Sequence, residues 1–568
     1  MTNMKNINIF NLVFTLLLFS VVACFQKSDQ LNNSEQPKKP NVLLIVADDM
    51  GYSDIGSFGG EIATPTLDLL AMEGLQLTNF HVLPTCSPSR SVLLTGVDNH
   101  LAGIGTMNEL KPPEAEGKPG YEGYLNFDVA ALPEVMRTGG YKTYMVGKWH
   151  LGDDSNTVPH ARGFDESFIL VNGGGSHWSD QRGVSPLENM TYQQNGKTVE
   201  KLPDDFYSTK NYTDMILEWM KQDQKDDKPF FAYLAYTAPH DPLHAPKEYI
   251  EKYKGVYDGG WDTLRDKRLK RLIELGVINQ NTKPFPRLPS VKAWKELSDL
   301  ERANAARDME VYAAMVDYMD GQIKRIFDYL KEAGEYDNTL IIFFSDNGAN
   351  GARPTAYPGQ TAEYLNSFDN SHENRGLANS YIDMGPGWAQ ASMAPSRMFK
   401  GFPAEGGIRS PMLIKLPGKM ANADGMDNTF LHINSIMPTI LEVANIDQPG
   451  QQFEGRIVHK IQGSSMLTML EGKNTSQDPK TRQVGYELFG MKAYISDNWK
   501  ILKMPKPFGT GNWQLYNLEQ DPGELNDLSK SNPEKLKELV VLWDKYQKDN
   551  GVLDISADMA EMLSGDKH

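Results

Sequence analysis

Residues 42–49 read Val-Leu-Leu-Ile-Val-Ala-Asp-Asp, six consecutive apolar side chains that run without a break into two carboxylates. An apolar run with no polar alternation belongs to a strand buried on both faces, the situation of a parallel sheet covered by helices. Four further runs have the same form: Tyr144 to Val146, Phe230 to Tyr236, Leu340 to Phe344 and Pro411 to Leu416. Each stops abruptly at polar, charged or glycine residues, as expected of buried parallel strands. Helical patterns lie between them. Thr64-Pro65 to Gly74 has an N-cap, a first-turn proline and a glycine stop. Ser298-x-x-Glu301 is a capping box that opens a long helix, with Met309, Tyr312, Ala313, Val316, Met319, Ile323, Phe327 and Leu330 on one stripe, ending at Gly334. Strand and helix in alternation predict a doubly wound α/β sheet. Ligands then sit beyond the carboxyl ends of the strands. After about residue 448 the pattern changes. Val484 to Tyr494, Trp499 to Lys503 and Trp513 to Leu518 read as short meander strands and Pro533 to Tyr546 as a closing helix. The expected organisation is a catalytic domain over 40–448 and a smaller C-terminal α+β domain over 449–568.

The chain has 568 residues, 40% of them apolar, with 57 Lys+Arg against 74 Asp+Glu and a net charge of −17. These are the values of a folded chain of more than one domain, and the negative field disfavours a nucleic-acid partner. With only Cys24 and Cys86, a disulfide scaffold and a cysteine-based structural zinc site are both excluded. The apolar run from Leu12 to Ala23 is a signal-peptide core, too short to span the roughly 30 Å of bilayer hydrocarbon. It ends Val21-Val22-Ala23-Cys24, which resembles the bacterial lipobox. That resemblance implies a lipid on Cys24, a flexible tether over 25–39, and an exported lipoprotein held at the periplasmic or cell-surface face of a membrane by its anchor alone.

The ends of the apolar runs carry the chemistry. One run delivers Asp48 and Asp49, another Ser345, Asp346, Asn347 and Gly348. Adjacent carboxylates at a buried strand end repel each other unless a cation or a proton neutralises them. A further carboxylate and an amide oxygen at a second strand end complete an all-oxygen site suited to Ca²⁺ or Mg²⁺. Either pair alone would serve equally well as a helix cap. The run at Tyr144 leads to Lys148 and His150, and the run at Phe230 leads to His240. Cys86 precedes Pro88 in a short helix that Gly96 ends, which puts it at the positive end of the helix dipole. Physical reasoning leaves it as a buried core residue, an activated thiolate, or the precursor of another group. A thiolate suits a hard-cation site poorly.

Cys86-x-Pro88-Ser89-Arg90 with Leu94-Thr95-Gly96 resembles the hallmark of type I sulfatases, whose cysteine is oxidised to Cα-formylglycine. The resemblance extends through Asp48-Asp49-Met50-Gly51, Gly147-Lys148-Trp149-His150-Leu151-Gly152, Pro239-His240, Ser345-Asp346-Asn347-Gly348, Ser396-Arg397-Met398-Phe399-Lys400, Glu405-Gly406-Gly407-Ile408-Arg409, Leu515-Tyr516-Asn517-Leu518 and Asp521-Pro522-Gly523-Glu524. It is nearest to the single-chain bacterial arylsulfatases, within the alkaline phosphatase superfamily, and so implies an α/β fold with a large mixed, mostly parallel sheet sandwiched by helices. It implies Ca²⁺ held by Asp48, Asp49, Asp346, Asn347 and the formylglycine made from Cys86. It also implies a nucleophilic hydrate oxygen that yields its proton to Asp346. Arg90, Lys148 and Lys400 then offset sulfuryl charge, His240 with Lys400 serves the leaving oxygen, and His150 is the base that lets sulfate depart. A formylglycine-generating or anaerobic sulfatase-maturing enzyme is the implied partner, and an aryl sulfate or a sulfated carbohydrate the implied substrate. Segments 153–215, 250–300 and 351–390 are expected to be rim loops around the leaving group. Two other readings compete: a phosphodiesterase or phosphonate hydrolase of the same superfamily, and a non-catalytic glycan-binding surface lipoprotein.

Overall fold

The computed structural model describes residues 38–187, 189–226, 228–418, 425–473 and 482–556. The leader, Cys24 and the tether up to residue 37 lie outside the described residues. The central strand is β1 (Asn41–Ala47), in which every residue is buried. The other long strands of the main sheet are β2 (Leu75–His81), β3 (Lys142–Lys148), β4 (Glu166–Leu170), β5 (Phe230–Ala235), β6 (Thr339–Ser345) and β7 (Arg409–Lys415). β1 runs parallel to β5 on one side and to β6 on the other, with Val46 opposite both Ala235 and Phe344. β3 lies parallel beyond β5, with Gly147 opposite Ala235, and β4 lies parallel beyond β3. Four neighbouring strands therefore end level with one another, and their carboxyl-terminal residues emerge side by side. Short strands at Met426–Asp427, Leu431–His432, Tyr192–Gln194 and Lys197–Thr198 complete an eleven-stranded sheet.

The run at 411–416 is a buried strand, but β7 pairs antiparallel with both β6 and β2, so its expected parallel direction is corrected. An apolar run specifies burial on both faces and says nothing of direction. β2 and β4 had no such signal. β2 reads Leu-Gln-Leu-Thr-Asn-Phe-His, and its buried polar groups are used up locally: Gln76 donates to the Ser57 carbonyl and Thr78 to that of Asp427.

Helix α1 (Pro65–Glu73) has the predicted bounds, yet Thr64 does not cap it. Its Thr66 and Leu67 amides donate instead to Asp320, at 3.1 and 2.9 Å. Asp320 belongs to the long helix, which spans Asp299–Glu332, and there the capping box is as read: Ser298 N donates to Glu301 and Glu301 N to Ser298 Oγ.

The C-terminal sheet is an antiparallel meander of β8 (Gln483–Leu488), β9 (Met491–Ser496), β10 (Trp499–Lys503) and β11 (Gln514–Asn517). The stretch read as one strand, Val484 to Tyr494, is thus a hairpin that turns at Phe489-Gly490, both with positive φ. The closing helix, Pro533–Asn550, buries Leu539 and Trp543 against Tyr494, Ile501 and Leu515. A buried ion cluster joins the two sheets. Lys500 Nζ on β10 donates to Glu405 at 2.9 Å and forms an ion pair with Glu524 at 2.7 Å, while His81 on β2 meets the other Glu405 oxygen at 3.0 Å. Burial opposes ionisation of Glu405, but Lys500 and then His81 hold its carboxyl well below the usual range. Removing the shared cation leaves two buried carboxylates facing each other. Lys500→Met should therefore lower stability by about 3–5 kcal/mol, read as a loss of soluble protein or an early urea midpoint. A midpoint within the wild-type error would contradict the clamp.

Candidate active site

The level strand ends assemble the site. Asp48 and Asp49 follow β1, Asp346 and Asn347 follow β6, Lys148 closes β3, and His240 follows β5, all of them buried. Close approach of β3 and β5 requires a glycine at 147: φ is +98° and a Cβ would lie 1.9 Å from the Ala235 carbonyl oxygen. Asp49 and His150 take left-handed backbone conformations, φ 66° and 56°, as their chain segments turn off the sheet. Such conformations are uncommon outside glycine and concentrate at functional sites.

Helix α2 (Cys86–Thr95) begins at the cysteine and ends at Gly96 with φ 64°, as its sequence predicts. Cys86 Sγ faces Asp48 Oδ1 at 3.4 Å and Asp49 Oδ1 at 3.9 Å. One turn on, Arg90 donates through Nε and Nη2 to Asp346 Oδ2 at 3.0 and 2.7 Å, and through Nη1 to the Lys148 carbonyl at 3.0 Å. Lys148 Nζ binds Asp48 at 2.8 Å and Lys400 Nζ binds Asp49 at 2.8 Å. Each of the three carboxylates thus has its own cation.

The carboxylates respond differently. Burial opposes the charge on Asp48, but Lys148, then His240, Arg90 and Lys400, keep its carboxyl far below the usual range. Asp346 is pushed upward by burial and by the negative charge of Asp48. Burial, aided by Asp48 and Asp346, also pushes the Cys86 thiol well up. The cysteine is therefore a protonated thiol and a poor nucleophile.

Ligand atoms of Asp48, Asp49, Cys86 and His240 all lie within 4.8 Å of one another. Asn347 Nδ2 donates to Asp49 at 2.6 Å, whereas its Oδ1 is buried without a hydrogen-bond partner. Carboxylate oxygens around an unused amide oxygen fit a hard divalent cation. Asp346 offers Oδ1, which also accepts the Asp49 amide at 3.3 Å. The site residues expected from sequence are thus brought together, and so are several that were not. His150 Nε2 lies 3.0 Å from Glu109, a residue with no signal of its own in a polar loop. His240 Nε2 is 3.4 Å from Asp49 Oδ2, and the His240 carbonyl accepts from His177 Nε2 at 3.0 Å. Burial holds the His177 imidazole down to about 3, so it is neutral.

Above this floor opens a cavity of about 210 Å³. Cys86, His150, His240 and Lys400 face it from below, and Leu110, Leu187, Tyr357, Phe399 and Phe489 form much of its wall. Segments 153–215 and 351–390 reach it through Leu187 and Tyr357. Among the described residues, none of 250–300 lines it, which corrects that rim assignment. That segment instead holds the helix Gly260–Glu274, whose Arg268 is buried against Asp54 and Glu61.

A floor of carboxylates and cations at the strand ends, beneath an apolar mouth, is the equipment of a hydrolase that handles a tetrahedral anion carrying an organic group. The profile of the family described as Sulfatase matches residues 40–446, and that of N-sulphoglucosamine sulphohydrolase, C-terminal, matches 397–548. The chain is 46% identical over 534 residues to an uncharacterized sulfatase of Schizosaccharomyces pombe, covering 92% of this chain and 96% of the relative. It is 39% identical over 453 residues to an arylsulfatase of Klebsiella aerogenes, covering 79% and 96%. Among solved structures, Ps i-CgsB in complex with k-i-k-neocarrahexaose aligns with a TM-score of 0.63 at 25% identity, covering 93% of this chain and 96% of that one. The phosphonate monoester hydrolase of Agrobacterium radiobacter shares the fold, with a TM-score of 0.55 at 16% identity, covering 90% and 96%. The chain belongs to the sulfatase family. It is a sulfatase, an enzyme that hydrolyses sulfate esters.

Leu187 is 71% exposed at the cavity mouth, so its replacement disturbs little of the fold. Leu187→Ser should raise KM for nitrophenyl sulfate about twofold to fivefold and leave kcat within about twofold, because apolar contact at the mouth is made equally before and during reaction. A lower kcat at unchanged KM would show that the wall does something other than hold the leaving group.

Proposed function

We propose that this sulfatase cleaves sulfate monoesters of the aryl class with Cα-formylglycine, made from Cys86 by a maturing enzyme, as nucleophile and Ca²⁺ as the bound ion. The observation that carries this reading is the setting of Cys86. A buried protonated thiol stands 3.4 Å from a carboxylate oxygen, at the head of a helix, among groups suited to a hard cation. Sulfur is the wrong atom there and oxygen the right one. Asp48, Asp49, Asp346 and Asn347 would hold the ion. When present, the hydrated aldehyde and the ion supply a hard, readily ionised oxygen.

The remaining work belongs to side chains on the same floor. Asp346 is the proton acceptor for the attacking oxygen, with Arg90 fixing its orientation. Arg90, Lys148 and Lys400 surround the place where sulfuryl charge develops. His240 and Lys400, both on the cavity, serve the leaving oxygen, and His150 takes the proton whose removal releases sulfate. The apolar wall favours an aryl leaving group; a sulfated carbohydrate is the second reading, supported by the neocarrahexaose complex of Ps i-CgsB.

Cys86→Ala should abolish hydrolysis of nitrophenyl sulfate, and retention of even about a tenth of wild-type turnover would contradict the assigned nucleophile. In wild-type enzyme, chelation should lower activity and melting temperature together, with Ca²⁺ restoring both. Full activity in demonstrably metal-free protein would remove the ion from the account. Measuring kcat/KM on a phosphodiester analogue in parallel separates the phosphodiesterase or phosphonate hydrolase reading, which requires the larger value there.

The lipobox-like ending at Cys24 supports a lipid-anchored, exported enzyme. No described helix is long and apolar enough to cross a membrane. Cys24→Ser should move the protein from the membrane to the soluble fraction at unchanged kcat. An unlipidated, freely soluble wild type would contradict the anchor.

A further inference from the structure

His150 and His240 both stand on the cavity floor, and the loop that follows β4 packs beneath both rings. A Cβ built on Gly173 would lie 2.8 Å from His150 Cε1, 2.9 Å from its Nε2 and 3.1 Å from Glu109 Oε1. One built on Gly174 would lie 2.8 Å from His240 Cε1 and 3.0 Å from its Nδ1. Neither glycine has a left-handed φ, so what these positions provide is room.

The His150 ring is held by one polar contact. Nε2 lies 3.0 and 3.2 Å from the two oxygens of Glu109, in the short turn Asn108–Leu110. Nδ1 is buried and has no hydrogen-bond partner. An ionised carboxylate only accepts, so the hydrogen of a neutral imidazole resides on Nε2 and the lone pair on Nδ1. A base oriented by a third group is the general arrangement of activated proton acceptors. An imidazolium formed by protonating Nδ1 would stand beside the Glu109 carboxylate, which offsets its charge.

We propose that Glu109 is the positioning residue for His150: it fixes the Nε2–H tautomer and leaves Nδ1 as the base, with Gly173 giving the pair its room. This rests on the role given to His150 above. The proton removed before sulfate departs goes to Nδ1, and Glu109 remains ionised throughout. Glu109 acts through His150, so its effect belongs to sulfate release and is blind to the identity of the leaving group.

Two measurements test this, one of them independent of turnover. In protein labelled with ¹⁵N-histidine, at a pH where imidazoles are neutral and with the His150 signals assigned by difference from His150→Ala, wild type should show Nε2–H and a bare Nδ1. Glu109→Ala should lose that preference, and Glu109→Gln, whose amide carbonyl still accepts, should keep it. In turnover, Glu109→Ala should lower kcat about tenfold to a hundredfold, equally for good and poor leaving groups, and let enzyme-bound sulfate accumulate. Glu109→Gln should recover part of the loss. Gly173→Ala should behave like Glu109→Ala, whereas Gly174→Ala should hurt most for poor leaving groups, through His240. An unchanged tautomer in Glu109→Ala, or kcat within about twofold of wild type with no accumulated sulfate, overturns the proposal when His150→Ala does accumulate it. If His150→Ala accumulates none while Glu109→Ala changes the tautomer, positioning by Glu109 stands and the role of His150 falls.

Discussion

Three carboxylates buried together at neighbouring strand ends are the constraint on which the rest of the structure depends. At an effective dielectric constant near 20, two like charges about 4 Å apart repel by about 4 kcal/mol, and Asp48, Asp49 and Asp346 are at most 1% exposed. The chain answers with three cations from three separate places: Arg90 on α2, Lys148 at the end of β3, and Lys400 in the loop ahead of Glu405. None is adjacent in sequence to the carboxylate it holds. The cluster therefore exists only when β6, β1, β5 and β3 are paired in register in that order and α2 is docked, so the fold and the active site are specified by the same contacts. In the proposed function the same cations also offset the charge of the sulfuryl group, which would tie the stability of the resting site to its catalytic use.

The neighbourhood of the cluster is built to narrow tolerances. Gly147 admits the Ala235 carbonyl, and Asp49 and His150 adopt left-handed backbone to turn their side chains onto the floor. The C-terminal sheet takes part as well. Its first hairpin places Phe489 in the cavity wall, and Lys500 locks it to Glu405. Among the motifs quoted from the sequence, Glu405 to Arg409 and Asp521 to Glu524 thus serve assembly, because Glu405 and Glu524 share Lys500 and Arg409 donates to the Thr78 carbonyl.

How much the sequence discloses follows from which physical signals are local. β1, β5 and β6 are unbroken apolar runs, and the residues that follow them gather on one cavity floor, so that gathering was legible. Strand direction was not, since β7 has the same composition whichever way it runs. The β8–β9 hairpin was hidden because half of its turn is made by Phe489, an apolar residue that gives no local sign of its positive φ. Asp320 displaced Thr64 as the cap of α1 from more than 250 residues away, a partner no local pattern reveals. Glu109 and Gly173 escaped for the same reason: a polar loop residue and a glycine in a presumed rim acquire meaning only when folding sets them against His150.

The proposed function turns on an oxygen in place of sulfur at residue 86. The most direct measurement is the mass of the peptide spanning Thr85 to Arg90, isolated from enzyme made in a host able to mature sulfatases and assayed for turnover beforehand. The account predicts that active enzyme carries the aldehyde or its hydrate at position 86, in an amount that rises and falls with specific activity. Fully active enzyme with an unmodified thiol at Cys86 would contradict it.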